Sequence, residues 1–417
     1  MKDRLTNWAG NLTYGTDRLE ERRTLDAVRS FVRSQERLKV LGSRHCFNSI
    51  ADSRDVLLSL KPMREVKLDP PNGAVTVGPG VTYGQLCPYL DAEGFALHNL
   101  ASLPHISVAG ACTTATHGSG ERNGSLATAV AELELVTADG DVVKLGRKSD
   151  DFSAAVAGLG ALGVITRLTL ALQMKYTMRQ YVYENLPLAQ MKDHFDAIQA
   201  SGYSVSLFTD WQEQRINELW IKTRGGSRFA APEEYFGAKR ATRDLHPIAA
   251  LSAGNCTAQM GVPGPWYERL PHFRMGFTPS AGKELQSEYF VPRRNAVDAI
   301  LAVERLRDRL KPHLLISEIR TVAADGLWMS MAYRRPSVAI HFTWKQDWPA
   351  VRRLLPLIEK ELGPYQPRPH WGKLFTLPPA ELRGRYERFD DFRLLAARYD
   401  PRGKFRNDFL NANLFPR

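Results

Sequence analysis

Four places along the 417-residue chain carry side chains that could work together in chemistry. The first is Leu38-Lys39-Val40-Leu41-Gly42-Ser43-Arg44-His45-Cys46-Phe47-Asn48, which puts an imidazole, a thiol and a carboxamide just beyond a short apolar run. The other three lie in the C-terminal half. Glu318 and Arg320 stand two apart in Leu314 to Val322, His341 and Thr343 two apart in Ser337 to Trp344, and Lys373 sits within His370-Trp371-Gly372-Lys373-Leu374-Phe375. Carboxylate, guanidinium and ammonium groups together hydrogen-bond several hydroxyls, and imidazole exchanges a proton near neutral pH. Singly, each has a plainer reading: His45 as a surface or capping histidine, Glu318 and Arg320 as a solvated strand face. Three such stretches among large apolar residues favour a pocket lined for a polyhydroxyl molecule.

The elements that would position these groups follow from periodicity. Residues two apart on a strand share a face, so Leu314 to Val322 and Ser337 to Trp344 are expected as strands whose polar residues look one way. His370 to Phe375 is expected as a third. Leu38 to Leu41 reads as a buried strand broken by Gly42-Ser43, with His45 on the exposed loop beyond it. Thr24 to Ser34 has a helical stripe (Leu25, Val28, Phe31, Val32). Val56 to Leu60 and Ala74 to Val77 are strands, and Thr82 to Glu93 is a helix. Glu132 to Thr137 and Val142 to Leu145 flank Ala138-Asp139-Gly140-Asp141 as a hairpin. Past Met174 the strands lengthen and aromatic residues increase. Tyr203 to Trp211 and Leu219 to Thr223 are expected strands. Asn295 to Leu310 is an expected helix with Val297, Ile300, Leu301 and Leu306 inward, and Asp347 to Leu362 another with Pro349 in its first turn.

Ser102 to Gly120 is rich in glycine, alanine, serine and threonine and poor in charge. Small residues let a ligand approach the backbone, and hydroxyls can serve phosphate oxygens, so this stretch reads as a phosphate cradle. Gly158-Leu159-Gly160-Ala161-Leu162-Gly163 matches the dinucleotide fingerprint literally. That fingerprint needs a strand before it and a helix after. Here a helix (Asp151 to Ala157) precedes and a strand (Val164 to Leu172) follows, so a Rossmann site is excluded.

Composition sets the remaining bounds. With 43 % hydrophobic and 24 % charged residues, the chain is an ordinary globular one of two or three domains. It has no apolar run of about 18 residues and no secretory leader, so a cytoplasmic protein without membrane contact is expected. Cys46, Cys87, Cys112 and Cys256 are too scattered for a zinc site or disulfide framework, and no metal is expected. The net charge of +11 is spread among acids, as in Glu304-Arg305-Leu306-Arg307-Asp308-Arg309, which favours anion attraction over nucleic-acid binding.

Six stretches occur in a fixed order: Gly42-Ser43-Arg44-His45, Ser102 to Gly110, Thr116-His117-Gly118-Ser119-Gly120, Glu318-Ile319-Arg320-Thr321, His370-Trp371-Gly372-Lys373 and Asp400 to Phe405. Together they resemble the vanillyl-alcohol-oxidase-type (PCMH-type) FAD flavoproteins, most closely the bacterial alditol (xylitol) oxidases. The resemblance implies an α+β fold: an FAD-binding domain over 1–175, a mixed-sheet substrate domain over 176–375, and a segment over 376–417 returning to the FAD domain. It implies FAD covalently attached through His45 at the flavin 8α-methyl. Leu41, Gly42, Ser43, Arg44, Cys46, Ser107, Gly110, Thr114, Ala115, Thr116 and His117 would hold its pyrophosphate and ring, with Ile165 by the nucleotide. Ser102 would touch both cofactor and substrate. Glu318, Arg320, Thr343 and Lys373 would bind the polyol, and His341 and His370 would lie near the ring. Two positions depart from the family: Arg44 where glycine is usual and Cys46 where serine is usual. Cys46 sets a second nucleophile beside His45, although the imidazole stays the expected point of attachment.

The implied reaction is oxidation of a primary hydroxyl of an alditol such as xylitol or sorbitol to the aldose, with oxygen reduced to hydrogen peroxide. Lys373 and Arg320 would lower the hydroxyl's pKa, His341 would accept its proton, and Glu318 would anchor remote hydroxyls. A monomer acting on a small polyol, without nucleic acid, is the expected state. The rivals are an aldonolactone oxidase or dehydrogenase of the same superfamily, and a non-catalytic flavin or sugar carrier.

Overall fold

Alternating polar and apolar residues between Thr177 and Lys345 build the largest element of the computed structural model, which describes residues 4–277 and 283–415. It is an antiparallel sheet. From one edge its strands run Glu234–Tyr235, Ala238–Arg240, Thr177–Pro187, Arg215–Arg224, Ser204–Thr209, Leu314–Val322, Ser337–Lys345, Glu284–Pro292 and Arg368–Pro369, with Gly264–Pro265 also pairing with Thr177–Pro187. Helices Leu188–Gln199, Ala296–Glu304 and Trp348–Leu362 pack on one face, burying Leu207, Leu219, Ile319, Ile340, Phe342 and Leu285 against Phe195, Ile300 and Leu355. The alternation therefore turns Glu318, Arg320, His341, Thr343 and Glu288 to the other face.

The rest of the chain builds two smaller sheets and one short antiparallel pair, Phe95–Ala96 with Gln173–Met174. Leu19–Glu21, Leu57–Ser59 and Lys39–Val40 form a parallel sheet with Leu57–Ser59 in the middle. Val66–Asp69, Ala74–Val77, Val164–Ala171, Val130–Val136 and Val142–Gly146 form an antiparallel one. Helix Leu25–Ser34, capped by the Thr24 side chain, buries Val28, Phe31 and Val32, as its stripe predicts. Asp347 caps helix Trp348–Leu362 through the Ala350 N–H, with Pro349 in its first turn.

The C-terminal stretch closes under the Leu38–Leu41 segment. Lys404 Nζ donates to Val32 O (2.6 Å) and Ala138 O (2.8 Å), and the Leu38 N–H donates to Lys404 O. Asn407 Nδ2 donates to the carbonyls of Ser49, Ile50 and Asp52. These bonds satisfy backbone groups that a buried connection would otherwise leave unpaired.

Two expectations need correction. His370 to Phe375 is not a strand; pairing ends at Pro369 and the chain turns. Its carbonyls are satisfied instead by the Asn48 side chain, which donates to Trp371 O (2.8 Å) and Lys373 O (2.7 Å), and by the Phe47 N–H on Gly372 O. Asn295 to Leu310 is two helices, Ala296–Glu304 and Arg307–Leu310; of the residues expected inward Ile300 is buried, Val297, Leu301 and Leu306 are half-buried, and Ala296, Ala299, Ala302 and Val303 complete the buried side. The Ser102–Gly120 stretch is part helix, at Val108–Thr113, with loops on both sides. Among the described residues no helix is long and apolar enough to cross a membrane.

Candidate active site

A cavity of about 1070 Å³ lies where the two smaller sheets meet the polar face of the large one. Its walls include Leu41 to Cys46, Ser102, Ser107, Gly110, Thr114, Thr116, His117, Ile165, Glu318, Arg320, His341, Thr343, His370 and Lys373. Of the residues expected at the site, Ala115 is not among these walls; its backbone is left-handed (φ 52°) and its methyl is buried in the hydrophobic core. Leu159, Gly160 and Gly163 of the rejected fingerprint line the cavity too, as a loop entering a strand.

The substrate end is built by strand register. Phe208, Glu318, His341 and Glu288 are successive partners across four neighbouring strands, so three ionisable side chains stand in a row on one face. Glu288 is fully buried and binds three groups: Lys373 Nζ at 2.7 Å, the Arg320 guanidinium at 2.7 Å and His117 Nε2 at 3.2 Å. Burial raises its pKa, but Lys373, His117 and Arg320 together outweigh that and hold the carboxyl well below its usual range. Glu318 is held low in the same way, burial being outweighed by Arg320 and His272. Lys373 is lowered by burial, partly restored by Glu288. Arg320 and Lys373 thus balance Glu288 and Glu318, and the site carries no net formal charge with its histidines neutral.

Glu288 and His272 had no role in the sequence reading. The alternation Glu284, Gln286, Glu288 against Leu285, Ser287, Tyr289 is a strand signal of the kind that marks Glu318 and Arg320. His272, beside the Pro263-Gly264-Pro265 loop region, has no such pattern.

His341 also differs from expectation. Its Nδ1 accepts from Lys373 Nζ at 2.8 Å and its Nε2 lies 3.0 Å from Thr343 Oγ1. Burial and the Lys373 ammonium hold it well below the usual histidine pKa. Its ring is therefore engaged at both nitrogens, by Lys373 and by Thr343.

At the other end, His45 is half-buried on a loop rather than freely exposed, stacked on Trp8 (centroids 5.1 Å apart) and 2.6 Å from His105, Nε2 to Nε2. Its Nδ1 is buried without a hydrogen-bond partner among the described residues, as is Ser107 Oγ. A side chain at Gly110 would meet Ser107 Oγ at 2.7 Å, and one at Gly42 at 3.0 Å, so both glycines leave room against this hydroxyl. An open cavity of this size, an orphaned hydroxyl between two glycines and an orphaned imidazole nitrogen fit FAD. Arg44 has φ 64°, the left-handed region that favours glycine; its guanidinium donates to Thr6 O and its carbonyl accepts from the Trp8 N–H. Burial pushes the Cys46 thiol up to about 11, so it is no thiolate competitor to His45.

Fold and site together define a flavin-binding protein. An FAD-binding-domain family model matches residues 20–146, and a D-arabinono-1,4-lactone oxidase model matches residues 279–413. The chain is 47 % identical to the alditol oxidase of a Streptomyces species, over 98 % of this chain and 99 % of that one. It is 29 % identical to L-gulono-1,4-lactone dehydrogenase of Mycobacterium tuberculosis, over 99 % of each. In fold it is similar to the cholesterol oxidase of B. sterolicum, with a TM-score of 0.78 at 16 % identity, covering 98 % of this chain and 96 % of that one. The chain belongs to the vanillyl-alcohol-oxidase-type (PCMH-type) FAD flavoproteins.

Proposed function

We propose that the chain oxidises a primary hydroxyl of an alditol, with xylitol and sorbitol as expected substrates, to the aldose, and reduces oxygen to hydrogen peroxide. The observation that carries this is the buried Glu318–Arg320–Glu288–Lys373–His341 cluster facing the same cavity as the His45 loop, in a chain 47 % identical to an alditol oxidase. We take residues 1–175 with 376–417 as the FAD-binding unit and 176–375 as the substrate unit. FAD, attached through His45, supplies the two-electron acceptor for the hydride leaving the carbinol carbon. Leu41, Gly42, Ser43, Arg44, Cys46, Ser107, Gly110, Thr114, Thr116, His117, Ile165 and His370 line its space.

Lys373 is the natural partner of the reacting hydroxyl. Its ammonium is already fixed by Glu288 and His341, and adjacent positive charge lowers an alcohol's pKa. As the hydride leaves, the Lys373 ammonium gives the proton it shares with His341 to Nδ1, and the amine lone pair so freed takes the hydroxyl proton, leaving Lys373 as ammonium and His341 protonated. Thr343 takes the Nε2–H of His341 on its oxygen, which leaves its own hydroxyl proton free to donate to the substrate. Glu318, Arg320 and Ser102 bind the remaining hydroxyls, so binding energy far from the reacting carbon orients it.

Oxygen uptake and peroxide formation with xylitol, sorbitol and gulonolactone test the assignment. Turnover with the polyols and little with the lactone is expected. Preference for the lactone would support the aldonolactone reading, which the lactone oxidase model over residues 279–413 favours. Flavin that no substrate bleaches would mark a carrier.

A further inference from the structure

Beside Glu318 lies a buried pair to which the proposed reaction assigns no step: His272, whose ring reaches the cavity wall, and Lys222, which lies behind it. Lys222 and His272 come from outside the row that binds substrate. Lys222 is on Arg215–Arg224, beyond the Ser204–Thr209 strand that pairs with Leu314–Val322, and His272 is on the loop before the Glu284–Pro292 strand. Lys222 is fully buried. Its Nζ lies 2.6 Å from Leu270 O, 3.0 Å from Pro271 O and 3.2 Å from His272 Nδ1. Burial pulls its pKa down to about 7, yet three acceptors surround it and only the ammonium has three hydrogens to give them.

Its neighbours decide the tautomer of His272. The ionised Glu318 can only accept, so the ring proton sits on Nε2, 2.8 Å from Oε1, and Nδ1 is left to accept from Lys222. The ring cannot turn away. Phe208 and Trp220 stand edge-on to it, with centroids 5.2 and 5.3 Å away. Its backbone is held as well: the Thr257 N–H donates to His272 O, and Thr257 Oγ1 donates to Pro271 O. One oxygen of Glu318 is thereby committed. The other lies 3.5 Å from Arg320 Nε and stays open to accept from a hydroxyl in the cavity.

We propose that His272, set by Lys222, is a positioning residue that fixes the Glu318 carboxylate and thereby sets how tightly the polyol binds. The proposal rests on the reading of Glu318 as the anchor of remote hydroxyls. Neither His272 nor Lys222 touches the reacting carbon, so they act on affinity and leave the chemical step to Lys373 and its neighbours.

The test compares full-length, flavin-loaded His272→Leu, His272→Gln and Glu318→Gln with wild type, reading KM and kcat for xylitol separately. Glutamine keeps the polarity, since its amide N–H can donate to Glu318 while its carbonyl accepts from Lys222. A hydrogen bond to a charged group lost from the bound state corresponds to about a tenfold weakening or more. His272→Leu is expected to raise KM about tenfold with kcat within about threefold of wild type, and His272→Gln to recover most of that rise. Adding His272→Leu to Glu318→Gln should raise KM no further. Should His272→Leu fail to fold or load flavin, Lys222→Met supplies the same comparison, and a raised KM is again expected. An unchanged KM, an equal rise in the leucine and glutamine variants, or a fall in kcat alone overturns the proposal. An unchanged KM in Glu318→Gln overturns instead the reading of Glu318 on which it rests.

Discussion

Nε2 of His45 and Nε2 of His105 lie 2.6 Å apart, so one ring donates and the other accepts through a single shared proton. Burial, with His105 and Arg44 adding to it, pushes the His45 pKa down to about 3, and burial lowers His105 as well. Two neutral rings are the stable state. With the proton on Nε2 of His45, Nδ1, which has no side-chain or backbone partner within hydrogen-bond geometry among the described residues, keeps a lone pair, the nucleophile that the proposed attachment to a flavin methyl would need. His45→Ala is expected to hold FAD that leaves entirely with the supernatant after acid precipitation, while wild type keeps its yellow colour in the pellet. His105→Ala should leave a reduced covalent fraction. Full retention in His105→Ala would show that His105 does not set the reactive tautomer.

Lys373→Ala removes the one ammonium that meets both Glu288 and His341. Loss of a positioned proton-transfer group costs typically 10²- to 10⁴-fold. Xylitol turnover should fall by about that factor with flavin content unchanged. Turnover near wild type would remove Lys373 from the chemistry.

Glu288 answers for stability more than for contact with substrate. It compensates Lys373 and Arg320 from a fully buried position. Removing one partner of a buried ion pair leaves the others uncompensated, at a cost of about 3–5 kcal/mol. Glu288→Ala should lower the free energy of unfolding by about that amount in a urea titration. Glu288→Gln, which keeps the shape and one acceptor, should lose less. Equal stabilities would mean that solvent or rearrangement neutralises the cations.

How much of this was legible depended on whether a position's partner was local. Glu318 with Arg320, and His341 with Thr343, announce their shared face because strand alternation is a property of a few adjacent residues. Lys373 lines the cavity, but from a turn and not from the expected strand. The apolar run His370 to Phe375 reads as a strand, whereas Asn48, more than three hundred residues earlier, takes the carbonyl bonds a strand partner would have taken. The Asn295 to Leu310 stripe broke for a related reason: alanines at 296, 299 and 302 meet the sheet more closely than Val297 or Leu301 can. Glu288 sits in an equally local alternation, Glu284, Gln286 and Glu288 against Leu285, Ser287 and Tyr289. His272 and His105 depend on side chains distant in sequence, and nothing local marks them.

His272 also makes a prediction about acid. Burial lowers its pKa to about 4, with Lys222 adding to the effect and Glu318 opposing it, while the unfolded chain returns it to about 6.5. Between those values the unfolded state binds the extra proton, so the free energy of unfolding rises with pH across that window and is lost as pH falls through it. At about 1.4 kcal/mol per pH unit, the full span corresponds to about 3 kcal/mol. His117, His341 and His370, all lowered by burial, act in the same direction from the same upper limit. Glu288 and Glu318 add their own loss only below about 4.5, where the unfolded carboxylates take up protons. Glu218, raised by burial to about 7, and Asp325, raised by burial to about 6, take up protons in the folded state over the same range and act in the opposite direction. The readout is therefore the difference between two proteins: from pH 7 to pH 4.5 the free energy of unfolding of wild type should fall relative to that of His272→Gln. Parallel curves for the two proteins would mean that His272 is protonated in the folded enzyme across this range, which would also remove the neutral tautomer that Lys222 is argued to hold.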